Sequence, residues 1–247
     1  MKVISAISGY LLCAVMTMAV TAETTILPEF NVNYDVYRSG IKIARMQRSF
    51  SRLEGGNLLY RSETNVTGLV SMFRKDKIIE ASTWQLNDGK IIPQLYEYQH
   101  TGIKDERSVT VEFDWTQNQI TNSINGSSWM MPTAEGILDK LLYQFSIMLD
   151  LRAGKSHMTY TIADGGKEKI YVFEPLGEEI IDTPLGKLRT VKLIRHRPDD
   201  SDRQSIVWSA PEMGYLPIKF ENIDDGVKTV VLINSYSGDE SQKVSRK

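Results

Sequence analysis

From Phe30 onward the chain is a succession of short segments rich in β-branched and aromatic residues, each stopped by turn residues. Phe30–Arg38 ends at Ser39-Gly40, and Ile41–Leu53 ends at Glu54-Gly55-Gly56-Asn57. Leu58–Thr67 follows, and Lys75–Leu86 meets Asn87-Asp88-Gly89, whose Asp-Gly pair is a strong tight-hairpin signal. Lys90–His100, Asp105–Trp115 and Gln119–Asn125 continue the series. Beyond residue 157 the strands Met158–Ile162, Lys169–Pro175, Glu178–Asp182 and Leu188–Arg197 are predicted. Gln204–Trp208, Leu216–Asn222 and Val227–Tyr236 complete the set. About a dozen strands in one sheet must curl or close.

One segment departs from this pattern. In Thr133–Arg152 the residues Ile137, Leu138, Leu141, Leu142, Phe145, Met148 and Leu149 recur at spacings of three and four, which predicts an amphipathic helix. Pro132-Thr133 supplies its start and Gly154 its stop. The expected architecture is mainly β: a single-domain curved antiparallel sheet, or partly open β-barrel, with this helix packed on or in it.

The first 22 residues read as a secretory signal peptide: Lys2, an apolar run from Val3 to Val20, and Val20-Thr21-Ala22 ahead of a cut before Glu23. The run is about long enough to span a bilayer, so a retained anchor is the alternative. Polar interruptions and the cleavable-looking end favour removal. A lipid-anchored form would use Cys13, but Leu11-Leu12 precede it where a small residue is wanted, and it lies within the run. The expected organisation is a leader over 1–22, one β-rich domain over 23–237 and a disordered tail over 238–247. Export predicts a periplasmic location.

Cys13 is the sole cysteine. The mature chain therefore has no disulfide, thiolate nucleophile or thiolate metal site. Its stability must come from its core, for which about 225 residues suffice. Removing Lys2 with the leader leaves 28 basic against 31 acidic residues, interspersed in sign. That balance argues against nucleic acid as a partner. No later stretch approaches the roughly 18 apolar residues of a membrane span.

Catalytic signatures are missing. His100, His157 and His196 fall in separate segments without metal-ligand spacing, and Gly-x-Ser-x-Gly does not occur. Gly55-Gly56 and Gly165-Gly166 are hairpin turns rather than phosphate loops. Asp114 lies between Phe113 and Trp115, where burial would raise its pKa; the alternative is a turn cap over Thr116-Gln117-Asn118. No cofactor is expected, and the chain is read as a non-enzyme.

Signs of a ligand are indirect. Val230-Val231-Leu232-Ile233 has no polar face, which either burial under a helix or an apolar cavity would explain. Seven methionines remain after leader removal, suited to core filling or to an adaptable apolar site. Gly68–Phe73 is apolar and runs into Arg74-Lys75-Asp76-Lys77. It is either a buried element with a basic end or a lip for an amphipathic molecule or a membrane surface. The candidate ligand-binding residues are Leu69, Met72, Phe73, Leu142, Phe145 and Trp208. The expected partner is a lipid-like, amphipathic molecule; the alternative is an envelope protein docked on a sheet edge or on Leu69–Phe73.

Several segments in order resemble an exported Gram-negative family, domain-of-unknown-function family 3108. They are Tyr34-Asp-Val-Tyr-Arg-Ser-Gly40, then Trp84, Asp88-Gly89, Pro93 and Tyr96-Glu-Tyr98, then Phe113-Asp114-Trp115. Thr183-Pro184-Leu-Gly186 with Thr190-Val-Lys192 follows, and then Trp208 with Leu216-Pro217-Ile-Lys219. The likeness spans roughly residues 30 to 237 and implies no catalytic residue. The part from Trp208 through Gly214-Tyr-Leu216-Pro217 is also similar to periplasmic carriers of outer-membrane lipoproteins, unclosed barrels whose helical lid covers acyl chains. Those have several lid helices, whereas one is predicted here, a departure that bears on lipoprotein carriage.

Overall fold

Asp88 and Gly89 both adopt positive φ, 49° and 77°. That pair of angles matches the right-handed twist of the strands on either side, so a two-residue turn suffices. Asn125-Gly126 and Asp225-Gly226 repeat the geometry. Such turns make each strand the antiparallel neighbour of the next. The computed structural model describes residues 27–72, 74–196 and 203–238. The proposed leader and its cleavage site, Phe73 and the tail after Gly238 lie outside these residues.

Fourteen strands form one antiparallel sheet. The first meander is β1 (Phe30–Arg38), β2 (Ile41–Arg52), β3 (Leu58–Val66), β4 (Lys77–Asn87), β5 (Lys90–Thr101), β6 (Arg107–Asp114), β7 (Gln119–Ile124) and β8 (Ser127–Pro132). The second is β9 (Met158–Asp164), β10 (Lys167–Thr183), β11 (Gly186–His196), β12 (Gln204–Ala210), β13 (Leu216–Asp224) and β14 (Val227–Gly238). Pairing of β1 with β14, from Phe30↔Gly238 to Arg38↔Thr229, joins the two meanders. The sheet therefore ends at β8 on one side and β9 on the other and does not close. The chain between those two edges carries the one α-helix among the described residues, α1 (Leu142–Arg152).

This helix is shorter than the predicted Thr133–Arg152. Gly136 at φ 73° breaks the run. Leu138 instead pairs with Ile162 as an isolated parallel bridge on the free edge of β9. Asp139 then caps the helix, its Oδ1 accepting from the amides of Leu141 and Leu142 at 2.8 Å each. The apolar spacing that suggested nine earlier residues of helix belongs to a buried non-helical segment that carries Ile137, Leu138 and Leu141. Nor is α1 one-sided. Phe145 and Ile147 project about 200° apart on a 3.6-residue turn, yet both are buried. The helix is enclosed as a plug in the concavity.

Other expectations also change. β8 escapes the periodicity because Trp129, Met130 and Met131 stand together without alternation. The two segments predicted at 169–175 and 178–182 are one strand, β10, with an irregularity between Pro175 and Gly177. On β14, Val231 and Ile233 are buried while Val230 and Leu232 are half-buried, so an alternation survives in that apolar run.

Candidate functional site

The helix-facing surface of the sheet is aromatic. Phe145 of α1 lies 4.8 Å from Phe50, 5.5 Å from Tyr60 and 5.1 Å from Trp84, measured between ring centroids. Tyr143, two residues earlier, reaches the other meander, 5.2 Å from Tyr171 and 5.7 Å from Phe173. One helix thus bridges both halves of the open sheet. Its anchor on the first half is Asp139, which also accepts from the Ser82 hydroxyl of β4 at 2.8 Å. Burial raises the Asp139 pKa to about 6, against the opposing pull of those three hydrogen bonds.

Among these rings stands a charge. The two-residue period of β2 points Ala44, Met46, Arg48 and Phe50 at the core, and all four are buried. The Arg48 guanidinium lies 4.7 Å from the ring centre of Phe220 and 5.8 Å from that of Tyr34. Its Nε and Nη1 are buried without a hydrogen-bond partner. An unmet buried donor costs about 1–3 kcal/mol, more when charged. Burial works against the charge, and Tyr60, Tyr34 and Glu80 outweigh it, so the guanidinium stays protonated. Glu80 is itself engaged by the Tyr96 hydroxyl at 2.8 Å. The Tyr60 hydroxyl is buried and, among the described residues, completes no well-formed hydrogen bond; burial raises its pKa, and the neighbouring Arg48 guanidinium acts to lower it.

On β11, Arg195 stacks on Tyr171, its guanidinium carbon 3.3 Å from the ring centre. Its Nε is likewise buried without a partner. Burial pushes the Tyr143 phenol up to about 12, and Arg195 and Arg48 both act to lower it. Two cations from opposite meanders therefore act on one helix side chain.

The predicted ligand residues are not gathered in one place. Leu142 and Phe145 are fully buried in α1 beside this cluster. Trp208 is on the opposite face of the sheet, since Val207 shares the helix-facing side with its partners Leu193 and Phe220. There Trp208 donates to Glu179 at 2.9 Å and is covered by Lys192 and Lys219. Met72 is 74% exposed, at a groove with Arg74, Lys75, Gly102, Ile103 and Lys104. Leu69 belongs to the same short turn, Gly68–Met72; Phe73 lies outside the described residues. Arg48 was missed by sequence reasoning, although alternation from Ala44 to Phe50 carries the signal. Asp114 is the exposed turn cap, held below the usual carboxylate range by Thr116 and Gln117.

With this geometry in view, three comparisons bear on the chain. The family model described as Protein of unknown function (DUF3108) matches residues 30–232. Among solved structures, a β-barrel-like protein of domain of unknown function DUF1849 from Brucella abortus is similar in fold. Its TM-score is 0.56 at 10% identity, over 88% of this chain and 100% of that one. No curated protein matches the sequence.

Proposed function

The chain belongs to DUF3108, a family of proteins of unknown function, and on that premise we propose that it is a non-enzymatic, periplasmic binding module for an amphipathic, lipid-like ligand. The ligand occupies the interior between the concave face and α1. The observation that carries this reading is the open seam. Among the described residues β8 and β9 share no backbone ladder, and α1 sets one ring, Phe145, against the first meander and another, Tyr143, against the second. A single side chain, Phe145, covers Phe50, Tyr60 and Trp84. Displacing it exposes a continuous aromatic wall without breaking a strand. The signal-peptide pattern of residues 1–22 supports export.

Native mass spectrometry of protein purified from the periplasm without detergent tests this reading. A co-purifying lipid, identified after solvent extraction, is the expected result. A bare polypeptide mass, with Trp84 fluorescence indifferent to added acyl-chain compounds, would count decisively against it.

An interaction module is the second reading, and one observation favours it. β10 outruns β9, so from Glu174 to Thr183 it pairs with β11 alone. Leu176 and Ile180 on that stretch are 55% and 67% exposed. Such an edge suits strand addition by a partner. In-cell crosslinking from position 176 should then capture an envelope protein, whereas monomer alone would dismiss this reading.

A further inference from the structure

We propose that Arg48 and Arg195 together form a receptor for the anionic head group of the ligand, a carboxylate or a phosphate monoester. This rests on the interior-binding reading and adds the chemistry of the head group. Among the described residues Arg48 has two buried nitrogens without a hydrogen-bond partner, Nε and Nη1, and Arg195 has one, Nε. Among the described residues neither guanidinium is ion-paired to a carboxylate, and Glu80, which acts on Arg48, is already held by Tyr96.

The guanidinium is a planar fork of donors matched to carboxylate and phosphate oxygens. A buried arginine that served only packing would have its donors met by the fold. Here the guanidinium groups lie against rings, Phe220 and Tyr34 for Arg48 and Tyr171 for Arg195. Rings can stabilise a cation but leave its in-plane donors free. The two arginines come from β2 and β11, in opposite meanders, and both lie on the helix-facing side: Arg48 against Phe220, and Arg195 on Tyr171, whose ring is 5.2 Å from that of Tyr143 on α1; both cations also act on the Tyr143 phenol. An anion held by both replaces the missing hydrogen bonds and links the halves of the open sheet. The acyl chain lies along Phe50, Tyr60 and Trp84, the wall that Phe145 now covers. Neutral lipids of equal length lack the group these donors need.

The test uses the full mature protein and four compounds: cis-parinaric acid and its methyl ester as probes, and monododecyl phosphate and laurate as competitors. The variants are Arg48→Met, Arg195→Met and Arg48→Lys, each checked for native thermal unfolding. Replacing a buried charge by a long apolar side chain is well tolerated by many cores, so folded variants are expected. Wild-type protein should bind the acid about tenfold or more tightly than the ester. Either methionine variant should lose that preference while still binding the ester, and Arg48→Lys should retain part of it. Stronger competition by dodecyl phosphate than by laurate assigns a phosphate head; the reverse assigns a carboxylate. Equal binding of acid and ester by the wild type overturns the receptor and leaves the interior module standing. Failure to bind any of the four compounds overturns the module itself.

Discussion

Replacing Asp139 by asparagine should remove a pH dependence from the stability of this fold. The carboxylate is fully buried, and burial raises its pKa from 3.8 to about 6. The folded state therefore holds the proton more tightly than the unfolded chain. Its stabilising effect is complete below about pH 4 and is lost as the pH rises through 6. At about 1.4 kcal/mol for each tenfold in proton affinity, the loss across that window is about 3 kcal/mol. Asparagine keeps the oxygen that accepts from Leu141, Leu142 and Ser82, so the cap survives without the charge. Its Nδ2 replaces Oδ2, which has no partner, so a constant penalty of about 1–3 kcal/mol accompanies the change. That penalty is independent of pH, and the slope is not. Urea unfolding followed by tryptophan fluorescence, at intervals from pH 3.5 to 7, gives the stability difference between variant and wild type. The variant should gain on the wild type by about 3 kcal/mol over that range. A difference constant with pH would refute the reasoning, because the buried carboxylate would then have an ordinary proton affinity.

Phe145→Ala removes the side chain that touches Phe50, Tyr60 and Trp84; it should lower stability by about 3–5 kcal/mol and red-shift Trp84 emission, both read in the same denaturation experiment. Gly166→Ala should destabilise far more than Gly40→Ala. Both glycines have positive φ, but a Cβ at 166 would lie 1.6 Å from Trp129 Nε1, whereas at 40 nothing lies within 4 Å. Hydrogen exchange of β8 should accelerate in the first variant alone. The Glu63 carboxyl is held down to about 2 by hydrogen bonds from Lys77, Asn65 and Arg61. Its contribution is present above its unfolded pKa of about 4.5 and is lost as pH falls toward 2, so Glu63→Gln should flatten acid unfolding between those limits. The group is partly exposed, and the effect is correspondingly modest.

Much of the strand content was legible in the sequence because its causes are local. A β1 spanning Phe30–Arg38 and the Asp88-Gly89 hairpin follow from the two-residue period and from backbone angles that few residues tolerate. Membership of the family was legible from short segments in order. The helix was harder, because a three-four spacing of apolar residues marks any fully buried segment as well as a helical one. Only the bridge of Leu138 to Ile162 and the cap at Asp139 separate the two. Arg48 lay in plain alternation with Ala44, Met46 and Phe50, yet its significance depends on Phe220, 172 residues away.

By itself, then, the sequence determined a curling antiparallel sheet with one helix, since turn geometry and side-chain period act within a few residues. Tertiary structure alone decided that β1 would pair with β14, leaving the seam between β8 and β9. It also decided that the helix would plug the concavity and that two arginines from opposite meanders would both act on Tyr143. Those outcomes depend on accumulated strand twist and on packing between residues far apart in the chain, which no local pattern encodes.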